Sequence, residues 1–564
     1  MDKRFARLLA VSLLSAAIAL AQPVIGGSAV SSASYRTPGM PGSGVAQGSI
    51  FIVFGTGLGP TALVEASPPF PLLTTLGGTS VSVTVGGVQQ SAIPLYTYTY
   101  AVAAILPSTT PVGSGTFTVT YNGQVSAPAP IQVVESAFGI YTLNEQGSGQ
   151  AIATDTTPTY INSTPTYNNS IIHTFHPLEV VSLWGTGLGA INSSDADAPP
   201  FGDLPGSITV YVGNAPASVT YHGRAPCCAG LDQINFQIPQ GVTGCYVPIG
   251  VQAGGALGNI GNIATIAVSD SGHTCSDSVM GQDLVNQLAA GQTVDFGYIR
   301  LESWVARYIP GSAGNATLDY GIATFSEYTP ANAGLAQYGV SSGYCVAVDC
   351  STECGGANLV GFSLSDSSPA QLDAGAALTI GYPIISLPQS QFESGYYEAL
   401  LSGNARFLYS AFTYPVTGTG GAAVGAFSVN DVTGIPSATL AGLTNAQTVP
   451  VSGDLKIQWT GGNPALQNGQ VTISAESWQQ PTNTTYQAEF LQCTAPASAQ
   501  QFTIPAWVLS AMPPSGSITE EGEIIPGGWL QVGQYNNPTK FSATGLTGGI
   551  ITDIFYNGIG VFFQ

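Results

Sequence analysis

The sequence predicts an all-β chain, tandem sandwiches first and further β-rich C-terminal domains after them. Three observations predict it. Short runs place an apolar side chain at every second position, as in Val81, Val83 and Val85, the period of a half-buried strand. Glycine and proline, 71 and 38 of 564 residues, punctuate those runs without a Gly-x-y period, which excludes collagen and favours short strands joined by turns. One stretch of chain also recurs, strand and turn together, about 130 residues later.

In chain order, Lys3, Arg4 and Arg7 precede the apolar run Leu8–Leu20, and Ala19-Leu20-Ala21 is a small-x-small cleavage pattern. Residues 1–21 are therefore expected to be a signal peptide that leaves Gln22 as the mature N-terminus. The run is short for a membrane span of about 20 residues, and no transmembrane segment is expected once it is removed. Residues 22–46, rich in Ser, Gly and Pro, read as a flexible leader. Gln47–Phe54 reads as a strand, followed by the turn Gly55-Thr56-Gly57-Leu58-Gly59. The same pattern returns as Leu178–Trp184 followed by Gly185-Thr186-Gly187-Leu188-Gly189, and Ser80–Gly87 matches Ser207–Asn214. Each repeat has the size of one small sandwich, so 47–136 and 173–276 are expected to be two such domains with 137–172 as linker.

Ser278–Ala290, with Leu284, Val285 and Leu288 at helical spacing, is the one segment that reads as an amphipathic helix. Strands are expected at Val294–Tyr308, Ala316–Tyr328, Leu359–Leu364 and Ala376–Ile385, and the glycine-rich 418–429 stretch reads as a hairpin strand. Together 277–431 form a β-rich domain. Alternation at Leu455–Trp459, Val471–Ala475, Ala488–Cys493, Gln501–Ile504, Trp529–Gly533 and Ile550–Tyr556 makes 432–564 a last sandwich-like domain.

Charge and cysteine narrow the function classes. Only 7% of residues are charged and the net charge is -21, with 10 Lys and Arg, so phosphate backbones are repelled and nucleic acid is excluded as a partner. Eight cysteines, Cys227, Cys228, Cys245, Cys275, Cys345, Cys350, Cys354 and Cys493, suit disulfides in an exported chain better than zinc, for which C-x2-C pairs are lacking. Bonding of neighbouring cysteines is strained, so Cys245 is expected to join one of Cys227 and Cys228, and Cys275 the other. Cys493 is available to the 345–354 group.

The paired glycine turns, each followed by a V-x-V strand, together with Val219–Pro226 and Ala229–Pro239, resemble IPT/TIG domains and, more closely, repeated secreted modules abundant in Acidobacteria. The likeness covers 170–270 well and 40–135 less fully, since Tyr96–Ile105 stands where the second repeat has its motif. It implies tandem immunoglobulin-like β-sandwiches and a secreted or outer-surface location, but no active site.

The glycine turns are not a dinucleotide fingerprint, because no helix follows them. His173, His176, His222 and His273 lack the H-E-x-x-H helix of a zinc protease. No G-x-S-x-G elbow marks a serine hydrolase. Glu302, Glu327, Glu353, Glu393 and Glu398 are numerous enough for a glycosidase, yet nothing in their placement selects a pair. Asp195, Asp197 and Asp203 read as a solvated acidic loop, with calcium the alternative and no other cofactor expected. Trp478, Trp507 and Trp529 are candidates for stacking on sugar rings, with burial in a core as the competing reading.

The expected function is thus a non-enzymatic extracellular structural or adhesion protein. A carbohydrate-binding surface protein is the alternative, and a secreted glycoside or peptide hydrolase the next. Expected partners are surface glycans or other cell-envelope proteins.

Overall fold

The computed structural model describes residues 22–155, 160–161, 164–165, 169–255, 258–272, 274–277, 279–306, 316–333, 340–351, 369–381, 383–391, 394–401, 407–434, 438–466, 469–482, 485–520 and 523–564. The expected signal peptide, His273, Glu353, Cys354, Leu359–Leu364 and Glu393 lie outside them. The chain is all-β apart from short helical turns, as its alternation predicts. Thr79–Val85 buries every second residue, with half-exposed residues between. That strand lies in a sheet ordered Val45–Ala46, Ala129–Val134, Gly113–Tyr121, Thr79–Val85, Val88–Ser91. A second sheet faces it, ordered Val24–Ile25, Ile50–Thr56, Ala101–Ile105, Ile93–Tyr98, Val64–Glu65. Phe51, Val53, Val81, Val83, Phe117 and Val119 fill the space between them.

The internal repeat is structural as well as sequential. The second sandwich sets Gly139–Ile140, Val180–Thr186, Asp232–Gln237 and Ser218–Arg224 against Ala215–Pro216, Ile208–Val212, Gly244–Ala253 and Ile260–Val268. Ile50–Thr56 and Val180–Thr186 hold equivalent places, as do Thr79–Val85 and Ile208–Val212. The first glycine of each turn explains why the motif recurs. A Cβ on Gly55 would stand 2.1 Å from the Val24 carbonyl oxygen, and one on Gly185 would stand 2.2 Å from that of Gly139. In both repeats a flanking strand crosses at a distance that only glycine permits.

Two expected boundaries change. Residues 22–46 are not a flexible leader: Val24–Ile25 and Val30–Ser31 pair with Ile50–Thr56, and Val45–Ala46 runs parallel to Ala129–Val134. Ile50–Thr56 would otherwise be a sheet edge with unpaired backbone groups, and the leader supplies the missing partners. Likewise Gly139–Ile140 and Ala153–Asp155, in the expected linker, pair with Val180–Thr186, and Phe138 and Ile140 are core residues of the second sandwich.

The C-terminal half is organised by one 11-stranded sheet. Its path runs Cys345–Asp349, Thr485–Pro496, Gln470–Thr482, Gly528–Tyr535, Gly548–Phe563, Val294–Ala306, Ala316–Tyr328, Ala370–Gln371. Val294–Ala306 lies parallel to Gly548–Phe563, so the large sheet draws strands from both sides of the expected boundary at 431/432, which parts only the two small sheets. Two small sheets cover one face. Ala377–Ile380 and its neighbours pack on Ile299, Leu301, Phe325 and Ile551, whereas Leu455–Gly461 and its neighbours pack on Ile473, Leu491, Leu530 and Val561. The helix expected near 278–290 is Gln282–Ala289, with Val285 and Leu288 buried. Among the described residues no helix is long and apolar enough to cross a membrane.

Candidate functional site

The segment 219–239, the most distinctive in the sequence, forms a joint between the first two sandwiches. Arg224 forms an ion pair with Asp232, both buried, within the second sandwich. Its other terminal nitrogen donates to the carbonyl of Gly48 in the first sandwich at 2.9 Å and to that of Gly189 at 2.8 Å. Asp232 Oδ2 accepts from the backbone N–H groups of Gly187 and Leu188 at 2.7 and 2.8 Å, inside the second glycine turn. Burial raises the Asp232 carboxyl above its ordinary value, and Arg224 pulls it back. Thr186 Oγ1 accepts from the Ile50 N–H at 2.9 Å and donates to Gly230 O at 2.8 Å, a second strut across the joint.

The acidic loop belongs to the same joint. Asp195 is buried, and its two oxygens accept from the N–H and hydroxyl of Ser108 at 2.7 and 2.8 Å. Asp203 accepts from the His222 N–H at 2.9 Å, whereas Asp197 is exposed. The three do not converge, and among the described residues no group of three or more His, Cys, Asp or Glu could hold a metal ion. The loop is thus not solvated throughout, as expected from the sequence: Asp195 is buried and spent on Ser108. His176 Nδ1 is engaged with the Ser269 carbonyl at 2.8 Å.

The cysteines pair differently from expectation. Cys227 bonds to Cys228, Cys245 to Cys275 and Cys345 to Cys493; Cys350 is also bridged. Topology explains the correction. Gly244 pairs with Val268, so Cys245 and Cys275 meet at one end of that sheet. The 225–231 turn is at the far end of the six-residue strand Asp232–Gln237, about 20 Å away.

The tryptophans divide. Trp507 is 4% exposed and stacks on Tyr211 of the second sandwich, so it is a core residue and not a sugar platform. Trp478 and Trp529 are half-buried on the face of the large sheet opposite the two small sheets, where Trp304 joins them around the buried Cys350, Ala488 and Phe490. Period two fixes this. Trp478, Glu476 and Ser474 share one face; Trp529 and Gln531 stand opposite Glu476 and Ser474; Tyr556 and Gly558 follow on the next strand. Glu302 and Trp304 are on the strand after that. Trp529 Nε1 donates to Glu476 at 3.1 Å, and Trp304 Nε1 to Glu302 at 2.7 Å. The Trp304 and Trp529 rings meet edge to face, centroids 5.4 Å apart, and Trp304 lies 4.8 Å from the Tyr556 ring. Glu302 also accepts from Tyr535 at 3.1 Å and pairs with Arg300 at 2.7 Å. Among the described residues Glu476 meets no such cation, and burial pushes its carboxyl up to about 7 against the pull of the Trp529 indole. Nothing local in the sequence reveals that the strand of Trp304 lies beside Gly548–Phe563.

This arrangement does not suit two-carboxylate hydrolysis. Glu302 and Glu476 are three strands apart, roughly 14 Å at about 4.8 Å per strand, beyond the roughly 5–9.5 Å that flanks a glycosidic bond. Glu327 stands beside Asp295 on the ladder, projecting in parallel with it instead of facing it across a cleft. Glu398 is on another strand, opposite Ile322, and accepts from Tyr396.

No protein-family model matches the chain, and no curated protein matches it. Among solved structures it is similar to domains 5–6 of the S-layer protein SbsC, at 16% identity and a TM-score of 0.16 over 44% of this chain and 100% of that one. A longer crystal structure of SbsC aligns at 11% identity and a TM-score of 0.17 over 96% of this chain and 63% of that one. SGBP-B of the Bacteroides ovatus mixed-linkage glucan utilization locus, in complex with a mixed-linkage heptasaccharide, aligns at 10% identity and a TM-score of 0.13 over 83% of this chain and 95% of that one. Scores this low describe local likeness, not a shared arrangement of whole chains.

Proposed function

We propose that the chain is a non-enzymatic extracellular structural or adhesion protein whose first two sandwiches are IPT/TIG-like modules. What carries the reading is one ion pair spanning almost the whole chain. Arg36, in the N-terminal segment, sets Nη1 2.9 Å from a carboxylate oxygen of Glu489 in the large sheet, and both residues are buried. Arg36 Nε donates to Pro41 O at 2.8 Å and Nη2 to Ala511 O at 2.7 Å. Burial raises the Glu489 carboxyl to about 8, a rise that Arg36 offsets only in part. A chain whose N-terminal strands are fastened to its C-terminal body, and whose sandwiches are joined by Arg224, resists being pulled apart, which suits load-bearing or presentation outside the cell. The few surface charges and the bridged cysteines fit the same setting.

Fractionation of the source cells tests this. The protein is expected outside the cytosol with Gln22 as its first residue, and to turn over none of a panel of glycosides and peptides. Retention of residues 1–21 in a cytosolic protein, or catalytic turnover, overturns the reading.

A further inference from the structure

We propose that Asp431 and Asp553, buried where the small sheet of Phe427–Val432 meets the large sheet, form a calcium site completed by the side-chain oxygens of Asn536 and Thr539. The inference goes beyond a structural or adhesive role and does not depend on it. Four features carry it.

The first is position. Phe427, Val429 and Asp431 share one face of their strand by period two, and Phe427 and Val429 pack into the core beneath the small sheet. On Gly548–Phe563, Asp553 stands between Ile551 and Phe555, which enter the same core from the large sheet. Each acid therefore occupies a place where the alternation calls for an apolar residue, and each is 2% exposed. Burying a carboxylate is costly unless a cation or a set of donors compensates it.

The second is proximity. The Thr539 hydroxyl donates to Asp431 Oδ1 at 2.8 Å, and Thr539 lies opposite Ile551, two residues before Asp553. Gly434, three residues after Asp431, donates its N–H to Asp553 Oδ2 at 2.9 Å, and Asn536 Nδ2 donates to the same oxygen at 2.6 Å. A Cβ on Gly434 would run into the Asn536 amide, so glycine lets the end of the Asp431 strand close on Asp553. The two acids feel one another: burial and the charge of Asp431 push the Asp553 carboxyl up to about 7, against the pull of Gly434 and Asn536.

The third is unmet coordination. Asp431 Oδ2 is buried and has no hydrogen-bond partner. The bonds to the Asp553 carboxylate fall on Oδ2, and among the described residues none falls on Oδ1. A buried anionic oxygen without a donor calls for a positive partner. The buried arginines Arg36, Arg224 and Arg300 pair with Glu489, Asp232 and Glu302 instead. Lys540 follows Thr539 but is exposed, on the opposite face of its strand.

The fourth is donor chemistry. Among the described residues no third acid joins the pair, and Asn536 and Thr539 supply neutral oxygens in its place. Carboxylate, amide and hydroxyl oxygens without sulfur or imidazole suit calcium and not zinc. Magnesium demands a near-ideal octahedron, whereas donors drawn from separate strands of two sheets make the irregular shell that calcium accepts. With only two carboxylates the dissociation constant is expected at about 10⁻⁴–10⁻³ M, the range of extracellular calcium modules.

The test uses the chain from residue 22 to residue 564 with its disulfides intact, stripped of metal by a chelator. Titration calorimetry at neutral pH would be run with calcium chloride, and with magnesium chloride as the control. Saturable calcium binding is expected, weakened at least about tenfold by Asp431→Asn and by Asp553→Asn. Asp197→Asn, which removes an exposed carboxylate elsewhere, should leave it unchanged. The two amide variants keep the size of the acid and remove a buried charge, so they are expected to stay folded, which circular dichroism in chelator checks. Calcium at about 10 mM should also raise the wild-type melting temperature above its value in chelator, by mass action on the folded chain, and leave that of Asp431→Asn unmoved. No saturable binding up to about 10 mM calcium, tighter binding of magnesium, or calcium binding that both amide substitutions leave untouched overturns the proposal.

Discussion

Tyr211 and Trp507 stack face to face, ring centroids 5.2 Å apart and planes 1° from parallel. Tyr211 belongs to the second sandwich and Trp507 to a short helix of the C-terminal body, whose core also receives Ile260 and Ile263 from that sandwich. The interface is therefore a continuation of the hydrophobic core. Trp507→Ala is expected to destabilise the protein by about 3–5 kcal/mol, the cost of deleting a buried aromatic. Trp507→Phe should retain much of the stack. Guanidinium unfolding followed by circular dichroism measures both.

Arg224 and Asp232 give a second prediction. Removing one partner leaves a buried charge unpaired, so Arg224→Met and Asp232→Leu are each expected to cost about 3–5 kcal/mol. The double variant should cost less than the sum, because no uncompensated charge remains. Gly48 O and the two turn N–H groups would still lose partners, so it should not regain full stability. A double-mutant cycle from urea unfolding checks the coupling.

What was legible in the sequence follows from locality. The strand of Val81, Val83 and Val85 was readable because period two is a local property. The repeat was readable because Gly55 and Gly185 meet the same steric demand in each copy. Pairing between distant segments left no local trace. Nothing near Trp304 announces that Glu302 lies opposite Ile554, and nothing near Arg36 announces Glu489. The bond between Cys245 and Cys275 is hidden for a related reason: the strand separating the 225–231 turn from Cys245 leaves no local trace. Trp507 and Trp529 are alike by composition and differ only in which surface covers them.

Acidity provides a third prediction. Burial raises Glu476 to about 7, and burial together with Asp431 raises Asp553 to about 7. A carboxyl that titrates higher in the folded chain than in the unfolded one holds its proton on folding. Its contribution is complete below about pH 4 and is lost as pH rises toward 7. Stability is therefore expected to fall between about pH 4.5 and 7. In Glu476→Gln combined with Asp553→Asn that slope should flatten, since neither position titrates. Thermal unfolding across this range decides it; an unchanged slope would show that other groups govern the dependence.

The bridges should differ sharply in worth. Cys345 and Cys493 face each other on neighbouring strands and are separated by 148 residues in sequence, so their bond closes a long loop of the unfolded chain. The chain-entropy argument assigns such a loop about 5 kcal/mol. Cys227 and Cys228 have a sequence separation of 1 and are exposed on a turn, so their bond closes almost no chain. Cys345→Ala with Cys493→Ala is expected to lower the melting temperature strongly, helped by loss of packing at two core positions. Cys227→Ser with Cys228→Ser should leave it nearly unchanged. Equal losses from the two pairs, measured by calorimetry, would mean that the 225–231 turn depends on its bridge to hold Ala229 against Ile50 and Ile105 of the first sandwich, and that local geometry outweighs chain entropy at the joint.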